Sequence, residues 1–172
     1  MRKLVWLLPV ALLLSVAAVA QDIPTQSGVW ASSDSARPLD GGRIVMRSLI
    51  SSNQPSDMLG QPSRGLLILR CRDGWVSIIV STLDGRFGFS SVIRVDWRVD
   101  EMPIVRENWS YVSADTVIHS GRSLKKFLSA IRGGKELVFR VYGDGMTQDI
   151  AFDLGDGAAA VDAIKAACPK AG

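Results

Sequence analysis

Cysteine and histidine are the scarcest reactive residues in this chain. Its 172 residues include two cysteines and a single histidine. That set does not readily supply the roughly four ligands of a structural zinc site. The GxSxG, HExxH and GxxxxGK[ST] patterns of common hydrolases, metalloproteases and nucleotide-binding proteins are also missing. The sequence therefore predicts no metal, no cofactor and no assigned catalytic residue.

Excess charge of one sign is also small. The chain has 20 Lys and Arg against 17 Asp and Glu, but two of the bases lie in the first twenty residues, which contain no acid. The remaining segment is therefore close to neutral, with 18 bases against 17 acids. Non-specific nucleic-acid binding needs a dense basic field, so a nucleic-acid partner is not expected.

The one long apolar run is at the N-terminus. Arg2 and Lys3 precede the apolar segment Leu4–Val16, and Ala18-Val19-Ala20 forms a small-x-small triplet before Gln21. This pattern is typical of a cleaved secretory signal. The alternative is a transmembrane anchor, but the apolar run is short for a membrane span.

We therefore interpret residues 1–20 as a signal peptide and residues 21–172 as a single domain without a membrane span. A chain of this length is sufficient to form its own core. The expected location is an exported compartment.

Alternation of apolar and polar residues dominates the mature chain. In Ser91–Asp100, one face carries Ile93, Val95, Trp97 and Val99, and charged residues occupy the other. Similar patterns, and the turn dipeptide Asp73-Gly74, predict further strands and hairpins. These strands are 42–51, 66–71, 75–82, 104–112, 114–118, 137–142 and 147–154.

Two segments follow helical periodicity instead. Ser120–Ile131 places its apolar residues on one stripe and is followed by Gly133-Gly134. Near the C-terminus, Gly155–Cys168 has Asp156 as a candidate N-cap and Pro169 as a stop. The fold class we predict is α+β: a mainly antiparallel sandwich-like or curved sheet with two helices, one of them C-terminal.

Both cysteines are expected to face the interior. Cys71 lies on a predicted strand beside apolar residues, and Cys168 lies on the apolar stripe of the last helix. In an exported protein an even pair of buried cysteines indicates a disulfide. A pair of buried free thiols is the main alternative, and a catalytic cysteine or a zinc ligand is a weaker one.

His119 is the one candidate for acid–base chemistry. It lies where a predicted strand meets a helix, so a general base at this position is conceivable. No nucleophile motif accompanies it, and a solvated junction histidine is the simpler interpretation.

The charged side of Ser91–Asp100 is the candidate partner-binding surface. Arg94 and Arg98 flank Asp96, and Arg106 follows on the next strand. Arginine side chains suit the carboxylates of an acidic partner. Cross-strand ion pairing on a solvated sheet is the simpler alternative.

Four segments together resemble a known family. These are VWASSDSARPLDGGRIVMRSL, GLLILRCRDGWVSIIV, VDWRVDEMPIVRENW and IAFDLGDGAAAVDAIKAAC. The pattern resembles the type VI secretion-associated VasI/TagO family of small exported proteins, and the Leu-Arg-Cys segment with the terminal cysteine is its most specific part. A more distant likeness, through GAAAVDAI, is to exported invasion-associated locus B proteins, whose additional cysteines this chain lacks.

The first resemblance implies a non-enzymatic periplasmic accessory protein that binds an envelope or secretion-system protein. It carries over no catalytic residues. The alternative function is a cell-envelope hydrolase that uses His119 with a nearby carboxylate.

Overall fold

The computed structural model describes residues 24–37, 39–56, 60–83, 87, 92–113, 115–143 and 146–169. The predicted signal peptide and its cleavage site lie outside these residues. The described residues form nine strands and two helices. In chain order they are β1 (Ala31–Ala36), β2 (Arg43–Ile50), β3 (Gly65–Arg72), β4 (Trp75–Thr82), β5 (Val92–Val99), β6 (Val105–Ser113), β7 (Thr116–His119), α1 (Leu124–Gly133), β8 (Glu136–Gly143), β9 (Met146–Asp153) and α2 (Gly157–Ala167).

All nine strands belong to one antiparallel sheet in the order β1-β2-β3-β4-β7-β6-β5-β8-β9. The Asp73-Gly74 hairpin joins β3 to β4, and both turn residues have positive φ, 54° and 81°. This is the conformation that an Asp-Gly turn favours. The α+β fold class is thus confirmed, with one curved sheet rather than two stacked sheets.

The core lies on the inner face of this sheet. On β5 the alternating residues Ile93, Val95, Trp97 and Val99 are buried, as the sequence pattern predicts. Helix α1 packs Phe127 against the Trp97 ring, with ring centroids 4.7 Å apart. Helix α2 contacts α1, β2 and β3. The two helices therefore cover the inner face, and much of the outer face stays open to solvent.

The predicted disulfide between Cys71 and Cys168 is confirmed. Their Cα atoms lie 5.8 Å apart, and the residues are separated by 97 positions in sequence. Both side chains are buried in the core. The bond ties the residue that follows α2 to the end of β3.

The sheet curls until β9 approaches β3. Gly65 lies directly against the side chain of Ile150, where a Cβ atom would overlap Ile150 Cγ2. Asn53, in the loop after β2, continues this contact. Its side-chain amide donates to the carbonyl of Asp149 at 2.8 Å, and its side-chain oxygen accepts from the N–H of Ala151 at 2.9 Å.

The structure adds one strand and shortens one helix relative to the sequence prediction. Strand β1 was not predicted, because Ala31–Ala36 is serine-rich and lacks an apolar face. Helix α1 begins at Leu124 rather than Ser120, and the hydroxyl of Ser123 makes no capping hydrogen bond. By contrast, Asp156 caps α2 as predicted, and accepts a hydrogen bond from the N–H of Ala159 at 3.1 Å.

No helix among the described residues is long and apolar enough to cross a membrane.

Replacement of both cysteines by alanine is expected to reduce the free energy of unfolding by about 2–5 kcal/mol, since a loop of this length is strongly constrained in the unfolded state. Urea unfolding followed by circular dichroism measures this loss. The mass of the intact protein is expected to rise by about 2 Da on reduction. Two free thiols detected in unreduced, unfolded protein would contradict the bond.

Gly65→Ala is expected to cost about 1–3 kcal/mol, because the added methyl group overpacks the contact with Ile150. Gly133→Ala is the matched control: a Cβ there meets nothing within 4 Å, and alanine is favoured over glycine in a helix. Equal urea midpoints for the two variants would show that the approach of β9 to β3 does not depend on Gly65.

Candidate functional site

The predicted partner surface lies on the open outer face of the sheet. Arg94 and Arg98 project from β5, and Arg106 projects from β6; all three are exposed. The register pairs Asp96 with Arg106 on one side and with Arg140 of β8 on the other. We call the outer face of β5, β6, β8 and β9 the arginine surface.

Two of the three arginines share one carboxylate within the protein. Arg94 Nε lies 3.5 Å from Asp96 Oδ1, and Arg106 Nε lies 3.6 Å from Asp96 Oδ2. Asp96 is largely buried and also accepts a hydrogen bond from the Tyr142 hydroxyl at 2.9 Å. The Arg94 guanidinium lies over the Tyr142 ring, 4.4 Å from its centroid. For Arg94 and Arg106, the simpler interpretation of ion pairing on a solvated sheet therefore describes the geometry.

Arg98 differs from its neighbours. Within the described part of the chain its side chain has no ion pair or hydrogen bond. It borders an open cleft of about 280 Å³ together with Ile104, Val138 and Arg140. The side chain of Ile104 is 54% exposed. Asp96 and Asp149 also line the cleft, but the Arg98 guanidinium forms no ion pair with a described residue. The cleft thus places this guanidinium beside exposed apolar surface.

The far wall of this cleft is a rigid ion pair. Arg140 Nη2 donates to Asp149 Oδ2 at 2.6 Å, and Arg140 Nε bonds the other carboxylate oxygen. Hydrogen bonding with Asp149 and Tyr142 raises the pKa of Arg140. The hydrogen bonds that Arg140 donates in turn lower the pKa of Asp149. The two parallel hydrogen bonds hold both side chains in one geometry. Arg98 is therefore the cationic side chain of this cleft that can change its conformation to fit a partner.

His119 is not the solvated junction residue that the sequence indicated. It is the last residue of β7, and only 8% of it is exposed. Its ring stacks on Trp109 with centroids 5.0 Å apart, and its Nε2 shares a 2.9 Å hydrogen bond with Ser123 Oγ. The inward direction follows from the register, which pairs His119 with the buried Ile78.

A carboxylate does lie near His119, as the hydrolase hypothesis requires. Glu107 Oε2 accepts hydrogen bonds from the indole N–H groups of Trp109 at 3.1 Å and Trp97 at 3.3 Å. Burial raises the pKa of Glu107, but hydrogen bonds from Ser123 and the two indoles, together with the charge of His119, lower it below its ordinary value. Burial lowers the pKa of His119, against the opposing effect of Glu107.

This arrangement favours packing over catalysis. The oxygen of Glu107 is held by two indoles, and the histidine ring is covered by Trp109. A general base needs a substrate within hydrogen-bonding reach, whereas the described clefts are lined by other residues. The described residues also include no cluster of three or more potential metal ligands.

Sequence reasoning missed Glu107 as a member of this cluster. A signal was present: Val105, Glu107 and Trp109 share one face of β6, so a carboxylate interrupts an apolar stripe. It also missed Tyr142, whose hydroxyl group orients Asp96.

Comparison with known proteins gives a fold but no family. No family model and no curated protein matches the chain. Among solved structures, the chain is similar to invasion associated protein B from Bartonella henselae, with a TM-score of 0.53 and 18% identity over 87% of this chain and 99% of that one. At this identity the likeness establishes the fold alone, and the VasI/TagO resemblance stays a prediction.

Acid is expected to destabilise the protein as the pH falls below about 6.5. The pKa of His119 is lower in the folded protein than its ordinary 6.5, so the unfolded state takes up a proton first and stability falls as the pH drops below that value. His119→Gln should flatten this dependence. Urea midpoints at each pH measure it, and since the chain has one histidine, equal slopes for both proteins would contradict the assignment.

Proposed function

We propose that the protein is a non-enzymatic binding or accessory protein of the periplasm that docks a partner on its arginine surface. The observation that carries this proposal is the cleft beside Arg98, where a guanidinium that forms no ion pair with a described residue lies next to the exposed side chain of Ile104. Arginine is enriched at the energetically dominant positions of protein interfaces. The partner we propose is an envelope protein that offers a carboxylate to Arg98.

The surroundings of the cleft support a protein partner. Ile104, which is 54% exposed, and the partly buried Val138 supply apolar surface inside the cleft. The Arg140–Asp149 and Asp96 ion pairs form a polar rim of fixed geometry. An apolar centre beside a polar rim is the usual arrangement of an interface.

The disulfide supports the proposed compartment. A buried bond between Cys71 and Cys168 persists in oxidising surroundings such as the periplasm. Export through cleavage after Ala20 is the corresponding proposal for the N-terminus. Association with a type VI secretion machine rests on the resemblance of the four sequence segments.

A photo-crosslinking residue at Arg98 tests the partner surface in living cells. We expect it to capture an envelope protein, and we expect type VI components among the captured proteins if the accessory role is correct. The matched control places the same residue at Lys126, an exposed position on α1, away from the arginine surface. Mass spectrometry identifies the captured proteins and shows whether the mature chain begins at Gln21.

Capture at Lys126 equal to that at Arg98 would contradict docking on the arginine surface. Specific capture of unrelated envelope proteins would retain the surface and reject the type VI role. His119→Ala completes the comparison, because a hydrolase would lose turnover while a binding protein would still capture its partner.

A further inference from the structure

A second open cleft lies elsewhere on the outer face, across β3, β4 and β7. Arg72 is paired in register with Trp75, and Arg70 with Ser77. The cleft measures about 370 Å³, and Ile118 and Ser120 form its far side. None of its lining residues belongs to the arginine surface. We call it the Trp75 cleft.

Positive charge in this cleft is only partly compensated. Arg70 is half-buried and donates from Nε to Ser77 Oγ at 3.1 Å; among described residues it contacts no carboxylate. Arg72 Nε lies 3.6 Å from Asp73, but Arg37 binds the same carboxylate more closely, at 2.8 Å. Burial, and then the like charge of Arg72, lower the pKa of Arg70, and a bound anion would relieve that repulsion.

Trp75 gives the cleft an aromatic wall. It is 80% exposed, and it is the one aromatic residue among the large hydrophobic residues that are exposed in the described part of the chain. Indole offers a flat apolar face together with an N–H donor. Ser120 adds an exposed hydroxyl group, whereas the buried Ser77 holds Arg70 in place. A cation, an aromatic face and a hydroxyl group therefore converge on one small space.

We propose that the Trp75 cleft binds an acidic saccharide. The carboxylate of the sugar pairs with Arg70 and Arg72, as guanidinium groups pair with carboxylates. The weakly polar face of the ring packs on Trp75, and Ser120 binds a ring hydroxyl. Because the cleft lies apart from the arginine surface, it leaves that surface free for a protein.

Titration of the mature protein with trigalacturonic acid tests the proposal. Calorimetry gives the affinity, and the indole N–H signal of Trp75 in NMR spectra reports its location. We expect saturable binding that weakens as salt is added, whereas maltotriose, which is neutral, should bind much more weakly. Arg70→Gln should reduce the affinity about tenfold or more, as expected for the loss of a charged hydrogen bond.

Trp75→Ala should also weaken binding, and because Trp75 is 80% exposed, its replacement removes little packing from the fold. The matched control is Arg64→Gln, which removes one exposed arginine outside the cleft and should leave the affinity unchanged.

Equal binding of inorganic phosphate, insensitive to Trp75→Ala, would overturn the saccharide assignment in favour of a simple anion site. No saturation by trigalacturonic acid at about 1 mM, or equal losses in all three variants, would overturn the site itself.

Discussion

The close approach of β9 to β3 is the constraint on which the rest of the structure depends. A nine-stranded sheet left flat would expose two broad faces, and its two helices could cover only part of one. Because Gly65 has no side chain, Ile150 can lie against its backbone and the sheet can curl around the helices. The curl places Trp97, Phe127 and Ile150 in one continuous core. The disulfide then joins this core to the end of α2.

Curling separates the chemistry of the two faces. Inward-facing polar groups must be satisfied inside the protein, and Glu107 and His119 are held by indoles and by Ser123. Outward-facing polar groups have no such requirement. Arg98 and Arg70 therefore persist without carboxylate partners among the described residues, and both lie beside exposed apolar or aromatic side chains. The functional proposals rest on these two outward-facing residues.

The strand alternation and the turn chemistry were sufficient to predict most of the fold. In β5 each apolar residue at every second position is buried, and Asp73-Gly74 forms the expected tight turn. The cysteine pair followed from its compartment and its apolar neighbours. Strand β1 escaped prediction because its pairing with β2, not its own composition, makes it a strand. The burial of His119 depends on a register with β4 that no local pattern contains.

Asn53 has a consequence for the behaviour of the protein at high concentration. A strand at the margin of a sheet offers unpaired N–H and C=O groups to which another chain can add. On β9 the side chain of Asn53 occupies one such donor and one such acceptor, and Ser52 N–H bonds the carbonyl of Ala151 at 2.8 Å. The loop after β2 therefore blocks the addition of another strand to β9, and with it the aggregation that such addition causes.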